Sequence, residues 1–324
     1  MAVYAIYHIN IKKARQVPLN TDNLDENLVA NTEMAEKILE DCLQGSIPVL
    51  KPQKDKTLTP LECTVVTKRD GVTLLLLCNE KNHKYMEKKT TEELVYHPGC
   101  YVAIDNRPGR MQMIIERTPS FDNKPDNVRD LLQVAFNRIL DKYQLEMEIL
   151  ARQHEGEFWE MVDEQCNQHN DYIKKVSFEF PNPKMVHTVD APIEMTKRLE
   201  VLHAFTKSLN AAKGILCMEA DKNEALKLDK TKKDIAQMVK LCCMNGYNIA
   251  VRFKRYGLYR FQDKIKAFGN VKEEVMKEFI SGQTLLGKSI EGEFELVQLF
   301  EKFHESRDLY TDEEPTPQTR KSNR

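Results

Sequence analysis

Cations and aromatic rings that could bind a polyanion are interleaved near the end of the chain. Between positions 222 and 277 there are 14 Lys or Arg residues and 6 Asp or Glu residues, a local charge of +8 in a chain of net charge −2. Cations neutralise phosphates, and aromatic faces stack on unpaired bases. This pattern predicts a surface that binds DNA or RNA. Its predicted residues are Lys232, Lys233, Arg252, Lys254, Arg255, Tyr256, Tyr259, Arg260, Lys264 and Lys266.

The alternation along positions 249–254 predicts how this surface is built. On a β-strand Ile249, Val251 and Phe253 would face a core, while Arg252 and Lys254 would face outwards. Two other interpretations use the same residues. An acidic protein partner would bind the same cations, or the cations would protect an exposed edge strand from aggregation while the aromatic rings are buried. The sequence leaves all three interpretations open.

Two carboxylates give the enzymatic alternative. Asp105 ends one predicted strand and Glu116 ends the next, in a hairpin that turns through positions 106–110. Carboxylates at strand ends can hold the Mg²⁺ used in phosphodiester cleavage. They can also be structural, since Asp105 would begin the turn and Glu116 would pair with a neighbouring cation. The enzymatic alternative is therefore a metal-dependent nuclease that uses Asp105 and Glu116.

Other common chemistries lack the spacing they need. A phosphate-binding loop requires closely spaced glycines after a strand, and the nearest spacing, positions 282–287, follows no strong strand. A structural zinc site requires two close pairs of Cys or His, whereas the adjacent Cys242 and Cys243 would diverge on a helix. No Gly-x-Ser-x-Gly turn occurs. The sequence thus predicts no catalytic residue, no metal ligand and no cofactor.

Length and composition favour a cytoplasmic protein of two domains. The chain has 324 residues, whereas a typical domain has about 100–200. Hydrophobic residues make up 41% and charged residues 30%, enough for packed cores and a well-solvated surface. The eight cysteines are dispersed, which favours reduced thiols over a disulfide framework. No export leader and no apolar run of about 20 residues is found, so a membrane partner is not expected.

Strands and helices alternate irregularly, which predicts an α+β fold of mixed sheets with helices packed on them. We expect an N-terminal α+β domain built on β-hairpins over residues 1–168 and a C-terminal α+β domain with the basic aromatic strand over 169–306. The polar residues 307–324 are expected to form a disordered tail. Hairpins are predicted to join 61–68 to 72–79 through Asp-Gly and 100–105 to 111–117 through Pro-Gly.

Helices are predicted where apolar residues recur at intervals of three and four. The clearest covers 127–143, and others cover 31–45, 157–166, 195–213, 271–280 and 292–304. Thr231 and Asp234 predict a capping box for a further helix that ends at Gly246. Strands are predicted at 3–11, 145–150, 173–180, 215–219 and 248–254.

Four segments together resemble a family of uncharacterised bacterial proteins, some of which are associated with phage-defence loci. They are YVAIDNRPG at 101–109, MQMIIER at 111–117, AFNRIL at 135–140 and VSFEFPNP at 176–183. The resemblance covers about residues 95–185 and implies a setting in bacterial anti-phage defence, without implying catalytic residues.

The leading hypothesis from the sequence is a cytosolic accessory or effector protein that binds nucleic acid, or an acidic protein partner, through positions around 252–266. The alternatives are the nuclease described above and a structural subunit of a protein complex without nucleic acid. A homo-oligomer is compatible with each of these readings.

Overall fold

The computed structural model describes residues 1–14, 34–53, 55–79, 81–87, 90–96, 98–107, 109–180, 201–202, 204–206, 208–209, 214–261, 266–284, 286–287, 294–305 and 309–311. A large sheet, a four-stranded sheet and two separate hairpins are combined with helices. The predicted α+β class is confirmed.

The strands, in chain order, are β1 (Ala2–Lys13), β2 (Val49–Pro52), β3 (Leu58–Leu61), β4 (Cys63–Arg69), β5 (Val72–Cys78), β6 (Lys81–Glu87), β7 (Thr90–Tyr96), β8 (Gly99–Asp105), β9 (Gln112–Glu116), β10 (Leu145–Ala151), β11 (Ile173–Phe180), β12 (Gly214–Glu219), β13 (Ile249–Phe253), β14 (Leu258–Arg260), β15 (Ala267–Val271) and β16 (Leu309–Thr311). The helices are α1 (Ala35–Cys42), α2 (Pro125–Leu140), α3 (Glu155–Asp163), α4 (Lys233–Asn245), α5 (Glu273–Ser281) and α6 (Glu295–His304).

The large sheet is covered by helices on both faces. Its strand order is β16-β15-β1-β9-β8-β5-β4, and β10 also pairs with β1. Alternate residues of a strand point to opposite faces. Tyr7 and Ile9 of β1 accordingly belong to the core formed with α1 and α2, whereas Tyr4 and Ile6 belong to the core formed with α5 and α6.

The four-stranded sheet has one packed face and one more exposed face. Its strand order is β12-β11-β13-β14, and each neighbouring pair is antiparallel. Phe178 and Val251 lie on the packed face, in a core that includes residues of α3 and α4. On the other face Arg252 and Arg260 are exposed and Ala250 is half-buried. The outer face of this sheet is therefore the one that can meet a partner.

Both predicted hairpins of the first half are confirmed. β4 pairs with β5 and β8 pairs with β9, each in antiparallel register. The predicted helix over 127–143 is α2, which begins two residues earlier because Pro125 fits the first helical turn, where its missing N–H is not needed. A short 3₁₀ turn over Asp141–Tyr143 follows it.

The predicted capping box at the start of α4 is wrong. The N-cap is Lys232, and no side chain caps this helix. The Thr231 hydroxyl instead donates to Asp229 Oδ1 at 2.8 Å, and the Thr231 backbone N–H donates to the same oxygen at 2.8 Å. This local turn uses the Thr231 side chain that the capping box required, so the N-cap lies one residue later, at Lys232.

Sheet membership does not follow the predicted division at residue 168. β15 pairs with β1 of the large sheet, and β16 pairs with β15. The residues of α5 and α6 also pack on that sheet. The expected tail needs a correction, because Leu309–Thr311 forms a strand; residues 312–324 lie outside the described part of the chain.

The eight cysteines, expected to be reduced thiols, are free, and half of them are buried. Cys63, Cys100, Cys242 and Cys243 are buried, and the described cysteines are unpaired thiols. Cys217 on the outer face of β12 is exposed. Among the described residues, we find no helix with the length and hydropathy that a membrane span requires.

Candidate nucleic-acid interface

The predicted basic aromatic strand is a two-stranded hairpin, here called the basic hairpin and defined as residues 250–260. Val251 pairs with Tyr259, and Arg252 pairs with Leu258. Arg252 and Arg260 therefore lie diagonally across the two strands, on the exposed face and about 7–8 Å apart at Cα. β13 is an interior strand with exposed cations, so edge protection alone does not account for Arg252.

A buried carboxylate holds the turn of the basic hairpin. Asp171, which is 4% exposed, accepts hydrogen bonds from the backbone N–H groups of Tyr172 at 2.7 Å, Arg255 at 3.0 Å and Tyr256 at 2.8 Å. Gly257 has a φ of 93°, a conformation that favours glycine. Phe253 N–H donates to Gly257 O at 2.8 Å and closes the turn. Asp171 thus fixes the position of the two residues at the hairpin tip.

The environment of Asp171 favours its ionised form. Burial is the largest single influence and opposes ionisation, but the N–H donors of Tyr256, Tyr172 and Arg255 together with the Arg255 charge lower the pKa below its ordinary value of 3.8. A group with a lowered folded-state pKa stabilises the fold above its unfolded pKa. This stabilisation is lost as the pH falls through the lower pKa of the folded state.

We expect Asp171→Ala to lower the free energy of unfolding by about 1–3 kcal/mol at pH 7, because three backbone donors lose their charged acceptor. The loss should shrink as the pH falls from the unfolded-state pKa of 3.8 through the lower pKa of the folded state, because the carboxyl of the parent protein is then protonated as well. Urea unfolding at pH 7 and pH 3 measures both values. The matched control is Asp41→Ala, a change at an exposed aspartate of α1. An equal effect of the two substitutions at pH 7 would rule out stabilisation of the hairpin turn by the Asp171 carboxylate.

The cations of the basic hairpin lack carboxylate partners. Arg252, Lys254, Arg255 and Arg260 are exposed, and none forms an ion pair within 4.0 Å among the described residues. The sequence contains no Asp or Glu between positions 235 and 262. Several other arginines are engaged: Arg107, for example, pairs with Asp105 and Glu301. Apart from the nearby Asp171 carboxylate, whose pKa the Arg255 charge lowers, the hairpin therefore presents positive charge that the described part of the protein leaves uncompensated.

Two tyrosines flank the hairpin tip, and only one of them was predicted. Tyr256 is 49% exposed, and Tyr172, just before β11, is 44% exposed. The ammonium of Lys254 lies 6.0 Å from the Tyr172 ring centroid. The sequence did not assign Tyr172 to this surface because it is about 80 positions away from the basic segment, and only strand pairing brings it to the tip. The available signal for an exposed ring was its position between a polar stretch and the apolar start of the predicted strand at 173–180.

Tyr259 is a correction to the predicted surface. Its side chain is 9% exposed and belongs to the core of the smaller sheet. Burial, followed by the nearby Tyr256, Glu157 and Glu164, raises the pKa of its hydroxyl to about 12. Because it alternates with the exposed Leu258 and Arg260, its ring points inwards and cannot stack on a bound base.

The predicted lysines fall into three groups. Lys266 is half-buried and forms an ion pair with Asp126, which also accepts from the Tyr7 hydroxyl at 2.9 Å, so Lys266 is removed from the surface. Lys264 lies outside the described residues. Lys232 and Lys233 are exposed at the start of α4. The loop before α4 bridges to Ile173 and therefore lies at the hairpin-tip end of the sheet.

The carboxylate pair predicted for a nuclease does not converge. Asp105 pairs with Gln112, whereas Glu116 lies four positions further along β9, or about 13 Å away. Ends of successive antiparallel strands lie at opposite ends of a hairpin, which the prediction overlooked. Asp105 is 0% exposed and bonded to Arg107 at 2.7 Å; Glu116 accepts from Tyr101 N–H at 3.0 Å. Both carboxylates have structural partners.

Burial also affects the ionisation of Glu116. Burial raises the pKa of its carboxyl above the ordinary value, and the hydrogen bond from Tyr101 N–H opposes this effect. Within the described part of the chain, no three His, Cys, Asp or Glu side chains are arranged to hold a metal ion. The side chains of His83 and His97 lie outside the described residues.

A groove adjoins the hairpin tip. It has a volume of about 840 Å³ and runs between α3, the start of β11 and the loop before α4. Trp159, Cys166, Tyr172 and Leu226 are among the residues that line it. A π-helical turn over Glu164–Gln168 follows α3 at its border, and such turns are frequent at functional sites.

Comparison of the chain with protein-family models, curated protein sequences and solved structures finds no match. The charge and exposure of the side chains therefore carry the functional inference.

Proposed function

We propose that this protein binds nucleic acid through the basic hairpin and the tyrosines beside its tip. The observation that carries the proposal is the set of four exposed cations, Arg252, Lys254, Arg255 and Arg260, that form no ion pair within 4.0 Å among the described residues. Cations of this kind gain more from a polyanion than cations already paired within the protein, because no internal ion pair must be broken.

The spacing of the cations suits a phosphate backbone. Diagonal neighbours in an antiparallel pair lie about 7–8 Å apart, and flexible arginine side chains cover the difference from phosphate spacing along a strand. Arg252 and Arg260 have this relationship. Arg255 continues the row beyond the strands at the turn, where Asp171 holds its backbone N–H at 3.0 Å. The bound strand would therefore follow the outer face of the hairpin towards its tip.

Fluorescence anisotropy with labelled oligonucleotides tests the proposal. At about 50 mM salt the protein is expected to bind a single strand or duplex of about 20 nucleotides, and four phosphate contacts predict a roughly 30-fold or larger loss of affinity at about 200 mM salt. No binding at the lower salt, or binding unchanged by salt, would contradict the proposal. Displacement by a polyglutamate peptide at equal charge, without preference for nucleic acid, would instead indicate an acidic protein partner.

The alternative functions predicted from the sequence have less support. The nuclease that uses Asp105 and Glu116 is not proposed, because these carboxylates lie about 13 Å apart. A role in phage defence, which the resemblance implies, stays a prediction, as does a cytoplasmic location. A structural subunit without nucleic acid would be indicated if the anisotropy experiment detects no binding.

A further inference from the structure

We infer that the nucleic acid bound here is single-stranded, with an unpaired base stacked on Tyr172 and a base received by the groove beside Trp159. This inference rests on the proposed function and specifies its ligand. Duplex DNA or RNA keeps its base faces stacked inside the helix, so exposed aromatic rings at a basic surface favour unpaired bases.

The two tyrosines at the tip are held close together by one group. The Asp171 carboxylate accepts from Tyr172 N–H at 2.7 Å and from Tyr256 N–H at 2.8 Å. The rings are 44% and 49% exposed, whereas the other aromatic side chains of this sheet, such as Phe253 and Tyr259, are buried. Lys254, near the Tyr172 ring, adds a cation that can contact the phosphate next to a stacked base. The hairpin tip thus places aromatic rings that can stack on bases next to a cation that can contact a phosphate.

The groove begins at Tyr172, which lies both at the hairpin tip and among the lining residues. Tyr172, Asp171 and Trp159 are all among its lining residues, and Leu226 and Leu228 add apolar walls. Its volume of about 840 Å³ exceeds that of a nucleobase, so it can receive a base together with part of its sugar. The Trp159 ring is half-buried, and its Nε1 donates to Glu155 at 3.3 Å, which fixes the ring at the side of the groove.

The lining of the groove carries side chains of both charges. Glu160 and Asp163 of α3 are exposed carboxylates on its lining. Carboxylates repel phosphates but accept hydrogen bonds from the exocyclic amino groups of bases. Lys227 and Lys230, on the loop before α4, also line the groove, whereas the hairpin cations Arg252, Lys254, Arg255 and Arg260 are not among its lining residues. A strand would therefore keep its backbone on the hairpin and turn a base towards the groove.

Trp159 is the one tryptophan of the chain, so its fluorescence reports on the groove in the unmodified protein. We expect a saturating single strand of mixed sequence to quench this fluorescence, and a duplex of the same sequence to quench it much less. Tyr172→Ala and Tyr256→Ala should each weaken single-strand binding about 5- to 10-fold while changing duplex binding less than about 2-fold. Tyr172→Phe, which keeps the ring, should bind as the parent does. Phe205→Ala, a change at a ring 63% exposed elsewhere, is the matched control.

The outcomes separate this inference from the proposed function. Equal loss of single-strand and duplex binding in the tyrosine variants, or quenching by duplex as strong as by single strand, would overturn the single-strand inference while nucleic-acid binding stands. Single-strand binding without any quenching would overturn the role of the groove. Absence of binding to either form would overturn the proposed function itself. Circular dichroism of each variant identifies any that fails to fold; if Tyr172→Ala does, Tyr256→Ala and the Trp159 quenching of the unmodified protein carry the comparison.

Discussion

A protein that carries Arg252→Ala, Arg255→Ala and Arg260→Ala together is expected to bind a single strand of about 20 nucleotides roughly 100-fold more weakly than the parent at about 50 mM salt. The three guanidinium groups are exposed and have no carboxylate partner within 4.0 Å among the described residues, so their removal costs the folded protein little. The affinity for nucleic acid should change, and the stability of the fold should not. Anisotropy titrations measure the affinity, and thermal unfolding checks the fold.

A matched control removes the same charge from elsewhere. Lys37, Lys124 and Lys272 are exposed lysines on or beside α1, α2 and α5, on the unit built around the large sheet. Their combined replacement by Ala changes the net charge by the same amount and should weaken binding less than about 3-fold, through the general field of the protein. If both triple variants lose affinity equally, the hairpin is not the binding surface.

The second large effect concerns a buried arginine that joins α6 to the large sheet. Arg152 is 1% exposed; its guanidinium donates to Phe303 O at 2.6 Å, His304 O at 3.4 Å and Gln112 Oε1 at 3.4 Å. Phe303 and His304 end α6, where the backbone carbonyls carry partial negative charge. Gln112 in turn contacts His304 Nδ1 at 2.7 Å. The carbonyls at this helix end take the place of the carboxylate that a buried arginine usually requires.

Burial lowers the pKa of the Arg152 guanidinium to about 10, which leaves it charged at neutral pH. Arg152→Met should lower the free energy of unfolding by about 3 kcal/mol, because the buried carbonyls of α6 lose their donor. Arg152→Lys keeps the charge but loses the fork of donors, and its effect should be intermediate. Urea unfolding followed by circular dichroism measures these differences.

Arg138→Met is the control for the buried arginine. Arg138 is exposed on α2, and its replacement should change the free energy of unfolding by less than about 0.5 kcal/mol. Nucleic-acid binding by folded Arg152→Met should match that of the parent, since Arg152 is buried away from the basic hairpin. Equal stability of the two Met variants would show that the arginine contributes nothing to the attachment of α6.

Local patterns in the sequence were sufficient to predict individual strands and turns, including the strand that carries the site. The alternation of Ile249, Val251 and Phe253 with Arg252 predicted the inward and outward faces of β13, and burial follows it. Asp-Gly at positions 70–71 predicted the turn between β4 and β5. These features depend on neighbours one to four residues away, which the sequence displays directly.

Features that depend on distant partners were missed. Tyr172 reaches the hairpin tip because β11 pairs with β13, and Lys266 is already paired with Asp126, 140 positions earlier in the chain. The pairing of β15 with β1 likewise joins segments from the two ends of the sequence. Composition does not reveal such pairings, since many strands of similar pattern could pair equally well.

The salt dependence of binding tests the central claim most directly. Each phosphate contact on a single strand contributes about 0.7 to the slope of log K against log salt concentration, so loss of Arg252, Arg255 and Arg260 should make the slope shallower by about 2. Titrations of the parent and the triple variant between about 50 and 300 mM salt give both slopes. A difference near 2 is the predicted result; equal slopes would contradict phosphate binding by the basic hairpin.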